Sequence, residues 1–183
     1  MQENLLVDKL TGLYNKKYFE NRLISEMQRA QRYKRPLSLL IFEIDYNYFV
    51  KEYDVKWGMS YSLLKQFGAL ILKIYRNVDI AGRYEGEMFI ALLPETPIEG
   101  GAMAGERLRK AVEEHTFMGD AHAPQIKIAI NVGVVSYPKN GKDIEELVSA
   151  ANDAILEARK EGGNKVIVSQ KTAEDRADKK TEG

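Results

Sequence analysis

The chain has 183 residues, of which 44% are hydrophobic and 30% charged, and its 27 Lys and Arg residues balance its 27 Asp and Glu residues. A chain of this length and composition forms one globular domain that folds without a disulfide or a metal, and the absence of cysteine excludes a thiolate zinc site and a cysteine nucleophile. Zero net charge gives no overall field for nucleic acid, and no apolar stretch approaches the roughly 20 residues that span a bilayer, so we expect neither partner for this segment.

The first half of the chain predicts two helices on either side of a buried strand. Apolar residues recur every three or four positions over residues 18–33, the spacing of one helix face, and Pro36 follows that helix. Residues 37–44 form a nearly continuous apolar run, typical of a strand buried on both faces. Residues 46–57 are aromatic and of mixed charge without a clear period, and helical spacing returns over residues 60–75.

The second half predicts a hairpin followed by alternating helices and strands. Two apolar stretches, residues 80–84 and 87–93, flank Glu85 and Gly86, and a glycine in a short polar gap indicates a tight turn. The remaining predicted elements are a helix over residues 101–115, a half-buried strand over 126–137, a helix over 143–160 and a short strand over 165–168. This order indicates an α+β domain, an α/β sandwich with one sheet covered by helices.

The two ends of the chain are expected to lie outside that domain. Residues 1–7 are too few for an element of their own, and we interpret them as the end of an upstream signalling helix or linker. Residues 170–183 are polar and poor in apolar side chains, which is typical of a disordered tail. The domain itself is expected to occupy residues 8–169.

Three segments carry motifs in a defined order. Residues 8–19 read DKLTGLYNKKYF, residues 83–89 read RYEGEMF, and residues 151–164 read ANDAILEARKEGGN. They resemble the motifs D-x-L-T-G-L-x-N-R-R-x-F, R-Y-G-G-D/E-E-F and A-D-x-A-L-Y-x-A-K-x-x-G-R-N of the GGDEF family, the bacterial diguanylate cyclase domain. The resemblance covers residues 8 to about 168 and implies a mostly antiparallel sheet flanked by helices, of the nucleotidyl-cyclase or polymerase-palm type.

The catalytic turn of that family is altered here. In an active member, two glycines let GTP approach the backbone, and carboxylates hold a divalent metal at the triphosphate. Glu85 replaces the first glycine and puts a negative charge where a polyphosphate would lie, whereas Gly86 and Glu87 match the family. Met88 replaces a carboxylate with a thioether, a poor ligand for a hard cation. We therefore expect these four residues to be vestigial and no residue to be catalytic.

The resemblance also implies a metal and phosphate site. The family's D-x-D strand end corresponds to residues 43–45, so Mg²⁺ would use Glu43, Asp45 and Glu87 only if GTP binding is retained; no cofactor is otherwise required. The phosphate-binding Lys corresponds to Arg159, which is still cationic, and the following Arg corresponds to Gly163.

The residues that read guanine in active members are missing. An alignment through Phe49 puts Tyr53 and Ser62 at the two guanine-reading positions. The same alignment puts Trp57 and Tyr61 where the family has glycines, which would crowd the base pocket.

A second nucleotide motif is intact. Residues 76–79, RNVD, match the family's R-x-x-D inhibitory site for cyclic di-GMP, the product of the cyclase. Arg76 can donate two hydrogen bonds to guanine O6 and N7, and Asp79 can accept from the N1 and N2 donors of the base. The resemblance implies a further arginine on the next helix, for which Arg107 is our candidate and Arg109 an equally available cation.

Four functions follow from the resemblance, in this order of preference. The first is a catalytically inactive domain that binds cyclic di-GMP as an effector module in bacterial signal transduction. The second is a divergent cyclase that converts two GTP molecules into cyclic di-GMP. The third is a GTP-sensing domain without turnover, and the fourth is a ligand-free dimerisation module that uses the aromatic segment 46–57.

The resemblance further implies the cellular context. A bound cyclic di-GMP dimer can bridge two such domains, so we expect a ligand-bridged homodimer. We also expect an upstream sensor or receiver domain and a bacterial cytoplasmic location, whether or not the parent protein is attached to a membrane.

Overall fold

The computed structural model describes residues 6–45, 48, 61–119 and 125–175. The helices are α1 (Lys16–Tyr33), α2 (Tyr61–Ile74), α3 (Ile98–Glu114) and α4 (Ile144–Lys160). The strands are β1 (Tyr14–Asn15), β2 (Leu37–Ile44), β3 (Ile80–Glu85), β4 (Met88–Pro94), β5 (Phe117–Met118), β6 (Gln125–Ile126), β7 (Ile130–Tyr137) and β8 (Val166–Val168). Within these ranges, none of the helices combines the length and apolarity that a membrane-spanning segment requires.

Six strands form one sheet in the order β1-β3-β4-β2-β7-β8, and β5 pairs with β6 in a separate ribbon. The three central pairings, β3 with β4, β4 with β2 and β2 with β7, are antiparallel, whereas β1 and β8 join the two edges in parallel. The prediction of a mostly antiparallel sheet flanked by helices is therefore confirmed.

Helices cover both faces of the sheet. Successive side chains of a strand point to opposite faces, so the central strand β2 contributes apolar residues to a cluster on each face. Leu40 and Phe42 of β2 pack in a cluster with apolar residues of α2 and α3. Leu39 and Ile41 pack in a second cluster with residues of α1 and α4. The predicted strand over residues 37–44 is thus confirmed, including its burial on both faces.

Capping residues fix the ends of the helices that flank the site. The Asp143 side chain accepts a hydrogen bond from the backbone N–H of Glu146 at 2.8 Å, and acidic residues occupy the first turn of α4. Gly162 and Gly163 follow α4 with φ of 102° and 77°, a backbone region that favours glycine. The side chain of Asn15 accepts from the N–H of Tyr18 at 3.0 Å and starts α1 two residues before its predicted start.

The stretch predicted as one half-buried strand over residues 126–137 is two strands, and that prediction is wrong about burial. The first six residues of β7 are all buried, since β2 and β8 flank β7 and helices α3 and α4 cover its faces. Gly133 lets α4 come close, because an added Cβ would lie 2.2 Å from the carbonyl oxygen of Ala151.

The start of the C-terminal tail also differs from expectation. The buried side chain of Asn140 donates to the carbonyl oxygens of Ser169 and Lys171, and Ala173 is buried, with its N–H donating to Lys139. Residues 170–175 are therefore attached to the domain, and residues 176–183 of the expected tail lie outside the described residues.

Candidate functional site

Carboxylates from three elements line a cavity of about 400 Å³ at the end of β2 beside the β3–β4 turn. We call it the carboxylate cavity; it is lined by Glu43, Ile44, Asp45, Glu85, Glu87, Met88 and Arg159. Antiparallel pairing places Glu43 opposite Met88, which brings the end of β2 next to the turn. The structure thus gathers the sequence-predicted metal and turn residues, together with Arg159, around one space.

Within this cavity, Arg159 binds Glu43 through two nitrogens of its guanidinium. The Nε atom donates to Oε1 at 2.6 Å, and Nη2 donates to Oε2. These hydrogen bonds raise the pKa of Arg159 and outweigh the opposing effect of its burial. Both carboxylate oxygens of Glu43 are therefore engaged by a protein cation.

Asp45 is buried and held by backbone amides. Its Oδ1 accepts from the N–H of Tyr48 at 3.2 Å, and its Oδ2 accepts from the N–H of Asn164 at 3.3 Å. An added Cβ at Gly163 would lie 1.9 Å from Oδ2 of Asp45. The glycine at this position makes room for the Asp45 carboxylate in its present orientation.

These engagements bear on the divalent metal that the resemblance implies. Across the described parts of the chain, no three His, Asp or Glu side chains form a group that could hold a metal ion. Two of the three candidate ligands, Glu43 and Asp45, are bound to protein donors instead. The residues do not fit a metal in this arrangement, and Mg²⁺ binding to Glu43, Asp45 and Glu87, if GTP binding is retained, stays a prediction.

The turn between β3 and β4 places Glu85 at the rim of the cavity. The Glu85 side chain is 76% exposed, and its carboxylate lies 4.0 Å from the Lys16 ammonium. Gly86 has φ of 54°, and Arg83 Nε donates to its carbonyl oxygen at 2.8 Å. The charge that replaces the family's first glycine thus lines the cavity that a polyphosphate would enter.

The first motif has a structural role that sequence reasoning did not assign. Asp8 accepts hydrogen bonds from the N–H and hydroxyl of Thr11 at 2.9 and 2.7 Å, and its carboxylate lies 3.4 Å from the Arg83 guanidinium. Burial raises the pKa of Asp8, but the bonds from Thr11 and the charge of Arg83 outweigh it and leave the pKa lowered. The opening loop is thereby fixed to the β3–β4 hairpin.

Two of the three predicted cyclic di-GMP residues, Arg76 and Asp79, line a second cavity of about 340 Å³ between α2 and β3. We call it the turn cavity; its lining includes Gly12, Tyr14, Leu72, Tyr75, Arg76, Asn77 and Asp79. Asp79 Oδ2 accepts from the backbone N–H of Arg76 at 3.0 Å, and the N–H of Asp79 donates to the carbonyl oxygen of Arg76 at 3.0 Å. These two bonds form a compact Arg76–Asp79 turn.

The functional groups of that turn keep capacity for a ligand. Arg76 is exposed, and its guanidinium has no hydrogen bond or ion pair with the residues that the structure describes. Asp79 uses one carboxylate oxygen in the turn, and its second oxygen has no partner in the same set. A planar fork of donors and a free acceptor therefore stand three residues apart.

Arg107 is an exposed residue of α3 and does not line the turn cavity. The Tyr75 hydroxyl is buried without a hydrogen-bond partner among the described residues. Burial raises the pKa of Tyr75, the charge of Arg107 lowers it, and the charge of Asp79 raises it. The charges of Arg107 and Asp79 thus both reach the Tyr75 hydroxyl, and a place for Arg107 in the cyclic di-GMP site stays a prediction.

Arg109, in contrast, is part of a structural network. Its guanidinium bonds Glu106 at 2.7 and 2.9 Å, Glu113 at 3.0 Å, and the side-chain oxygen of Asn164 at 3.0 Å. These partners raise the pKa of Arg109, with the Glu106 bonds contributing most. The expectation that Arg109 is as available as Arg107 is therefore wrong, since its donors already have partners.

Two of the four residues expected to alter the base pocket, Tyr61 and Ser62, lie within the described residues. Tyr53 and Trp57 lie outside the described residues, as does most of the aromatic segment 46–57. Tyr61 is 80% exposed at the start of α2. The Ser62 hydroxyl is 3.2 Å from the side-chain nitrogen of Gln66 in the next turn.

Two buried polar groups were not anticipated from the sequence. Tyr75 ends the stretch of helical spacing over residues 60–75, and it lines the turn cavity with a buried hydroxyl. Asn131 lies opposite Glu43 in the β2–β7 register, and neither atom of its buried side-chain amide has a partner among the described residues. A polar residue inside a strongly apolar strand was the available signal for Asn131.

Comparisons with known proteins agree with this architecture. The GGDEF family profile, described as diguanylate cyclase, GGDEF domain, matches residues 5–165. The response regulator PleD of Caulobacter vibrioides is 28% identical over 90% of this chain and 36% of its own length. Diguanylate cyclase A of Treponema denticola is 31% identical over 92% of this chain and 45% of its own. The chain thus spans less than half of either relative.

A solved structure shows the same fold at lower sequence identity. The GGDEF domain of DgcB from Caulobacter crescentus, crystallised in complex with c-di-GMP, superposes with a TM-score of 0.79 at 20% identity. The superposition covers 93% of this chain and 97% of that one. With the profile match over most of its length, the chain belongs to the GGDEF family and is homologous to diguanylate cyclases.

Proposed function

We propose that this GGDEF domain does not synthesise cyclic di-GMP but binds it at Arg76, Asp79 and Arg107, as a regulatory module of bacterial signalling. The observation that carries the proposal is a contrast between two cavities. At the turn cavity, Arg76 and Asp79 keep free hydrogen-bonding capacity. At the carboxylate cavity, Glu43 is bound by Arg159.

The chemistry of the Arg76–Asp79 turn suits a guanine base. A guanidinium donates two parallel hydrogen bonds to guanine O6 and N7, the commonest base-specific contact of arginine. The free oxygen of Asp79 accepts from the N1 and N2 donors on the adjoining edge. Arg107 adds a cation for a phosphate, and such charge-assisted bonds are stronger than neutral ones.

The carboxylate cavity is unfavourable for GTP on electrostatic grounds. Among the described residues, the carboxylates of Glu43, Asp45, Glu85 and Glu87 line it against one cation, the guanidinium of Arg159. A triphosphate needs an excess of positive charge, which active members obtain from metal and basic side chains. The negative charges of these carboxylates would repel the phosphates of a bound GTP, most strongly where solvent is excluded.

The comparison with DgcB supports the choice of ligand, because that protein's GGDEF domain was crystallised with c-di-GMP. The fold therefore accommodates this ligand in a similar domain.

The proposal is tested by titrating cyclic di-GMP into the chain by calorimetry. We expect binding that is lost in Arg76→Ala, because that substitution removes the guanine fork. Arg32→Ala is a matched control, since Arg32 is a basic residue of the last turn of α1 and lines neither the turn cavity nor the carboxylate cavity. Absence of binding by the unaltered chain at tens of micromolar ligand would remove the proposal.

A divergent cyclase is the second candidate, favoured by one observation. Glu43, Asp45 and Glu87 do line a single cavity, from which a rearranged metal site could form. Formation of cyclic di-GMP from GTP with Mg²⁺ or Mn²⁺, abolished in Glu87→Ala, would establish it. GTP binding without product would instead indicate a GTP sensor. Binding of neither GTP nor cyclic di-GMP would indicate a dimerisation or docking module.

The cellular context is part of the same proposal. We expect the ligand to bridge two copies into a homodimer, which light scattering with and without cyclic di-GMP would reveal. We also expect an upstream sensor or receiver domain and a bacterial cytoplasmic location.

A further inference from the structure

A third cavity, next to the turn cavity, lies against the Arg76–Asp79 turn on the side of α1. Its volume is about 570 Å³, and we call it the α1 cavity. Tyr14, Arg76, Asn77 and Asp79 line both this cavity and the turn cavity. The turn is therefore a shared wall, and a ligand seated on it has space on two sides.

The α1 cavity contains a pair of tyrosine rings. The rings of Tyr14 and Tyr18 lie with centroids 4.3 Å apart and planes inclined by 32°. Both side chains are half-buried and line the cavity. A ring pair of this kind offers an aromatic face on which a nucleobase can stack, regardless of which base it is.

Arg22, one helical turn beyond Tyr18, supplies an unused donor beside these rings. Its Nη2 donates to Oε1 of Glu26 at 3.3 Å, and the other carboxylate oxygen of Glu26, Oε2, lies 3.9 Å from Nη1 of Arg29. The Nε atom of Arg22 is buried and has no hydrogen-bond partner in the described part of the chain. The Arg22 side chain as a whole is 43% exposed, so its outer N–H groups can reach a phosphate oxygen in the cavity and form charge-assisted hydrogen bonds.

We infer that the α1 cavity holds the second nucleotide of the bound cyclic dinucleotide, with its base stacked on an outer face of the Tyr14–Tyr18 ring pair and a phosphate at Arg22. This inference rests on the proposed function and adds to it a subsite built by β1 and α1. The first guanine lies on Arg76 and Asp79. The ligand is therefore recognised by both of its halves, which distinguishes a dinucleotide from a single guanine nucleotide.

The test is a calorimetric titration of cyclic di-GMP into two subsite variants, Tyr18→Leu and Arg22→Gln. Tyr18→Leu keeps apolar bulk on α1 and removes the aromatic face, and we expect it to weaken binding by about 5- to 100-fold. Arg22→Gln removes the charged donor and is expected to weaken binding by about 10-fold. Tyr33→Leu, at the other end of α1 and outside the cavity lining, should bind like the unaltered chain.

The thermal unfolding midpoint of each ligand-free variant is measured as well. A midpoint close to that of the unaltered chain shows that a weaker affinity does not come from unfolding. Near-unaltered affinity of both Tyr18→Leu and Arg22→Gln, with binding still lost in Arg76→Ala, would overturn the subsite and leave the proposed function standing. No binding of cyclic di-GMP by the unaltered chain would overturn both.

Discussion

The guanidinium of Arg159 holds the carboxylate of Glu43 across 116 residues of sequence, with Nε 2.6 Å from Oε1. The resemblance assigns the first residue to a phosphate and the second to a metal. In this chain the two bind each other, so two guanidinium nitrogens and both carboxylate oxygens are already engaged. A triphosphate or a metal ion in the carboxylate cavity would have to compete with this ion pair.

Restoring arginine at Gly163 will not restore the site. Gly163→Arg places a Cβ 1.9 Å from Oδ2 of Asp45 on a backbone with φ of 77°. We expect a loss of about 2 to 4 kcal/mol in the free energy of unfolding, because backbone strain adds to the displacement of the Asp45 carboxylate from its backbone donors. Chemical denaturation measures it, and no cyclase activity should accompany the change.

Gly162→Ala is the matched control for that substitution. Gly162 also has a left-handed φ, of 102°, but an added Cβ would meet nothing within 4 Å. Its loss should be only about 1 to 2 kcal/mol, from backbone strain alone. Equal losses in Gly162→Ala and Gly163→Arg would mean that the contact with Asp45 does not constrain this loop.

Tyr75→Phe should stabilise the ligand-free domain. The hydroxyl of Tyr75 is buried without a partner among the described residues, and an unsatisfied buried group of this kind costs about 1 to 3 kcal/mol. Removal of the oxygen leaves the ring in its apolar cluster, so we expect the free energy of unfolding to rise by about 1 kcal/mol. A decrease of that size on denaturation would show that the hydroxyl is bonded in solution.

The stability of the domain should fall in acid partly through Asp8. Its pKa is lowered in the folded state, as bonds from Thr11 and the charge of Arg83 outweigh burial. The carboxylate therefore stabilises the fold at every pH above its unfolded pKa of about 4, and this contribution is lost as pH falls through the lowered folded pKa.

Asp8→Asn isolates this dependence. The difference in unfolding free energy between the unaltered chain and Asp8→Asn should be largest at neutral pH and shrink below about pH 4. Urea denaturation at a series of pH values measures that difference. A difference that stays constant from neutral pH to the acid limit would contradict the assignment.

Asn140 should control the start of the tail. Its buried amide donates to Ser169 and Lys171 and accepts from the N–H of Ser136 at 2.7 Å. Asn140→Ala leaves these backbone groups without partners and should cost about 2 to 3 kcal/mol. Hydrogen exchange of the Ala173 amide should accelerate with it, and unchanged protection there would argue against the attachment.

Local patterns predicted most of the fold. The apolar run of β2 and the cap at Asp143 are properties of adjacent residues, so the sequence is sufficient to identify them. The burial of β7 and the engagement of Arg109 were missed, because both depend on elements distant in sequence. For the same reason, Arg76 and Asp79 could be nominated from a motif, whereas no local pattern indicates that Arg159 binds Glu43.

The most direct test of the account is a parallel titration of cyclic di-GMP and of GTP with Mg²⁺ into the unaltered chain. The account predicts binding of cyclic di-GMP, lost in Arg76→Ala, and no binding of GTP. Binding of GTP with no binding of cyclic di-GMP would contradict it, because the carboxylate cavity would then be the working site and the Arg76–Asp79 turn an ordinary surface turn.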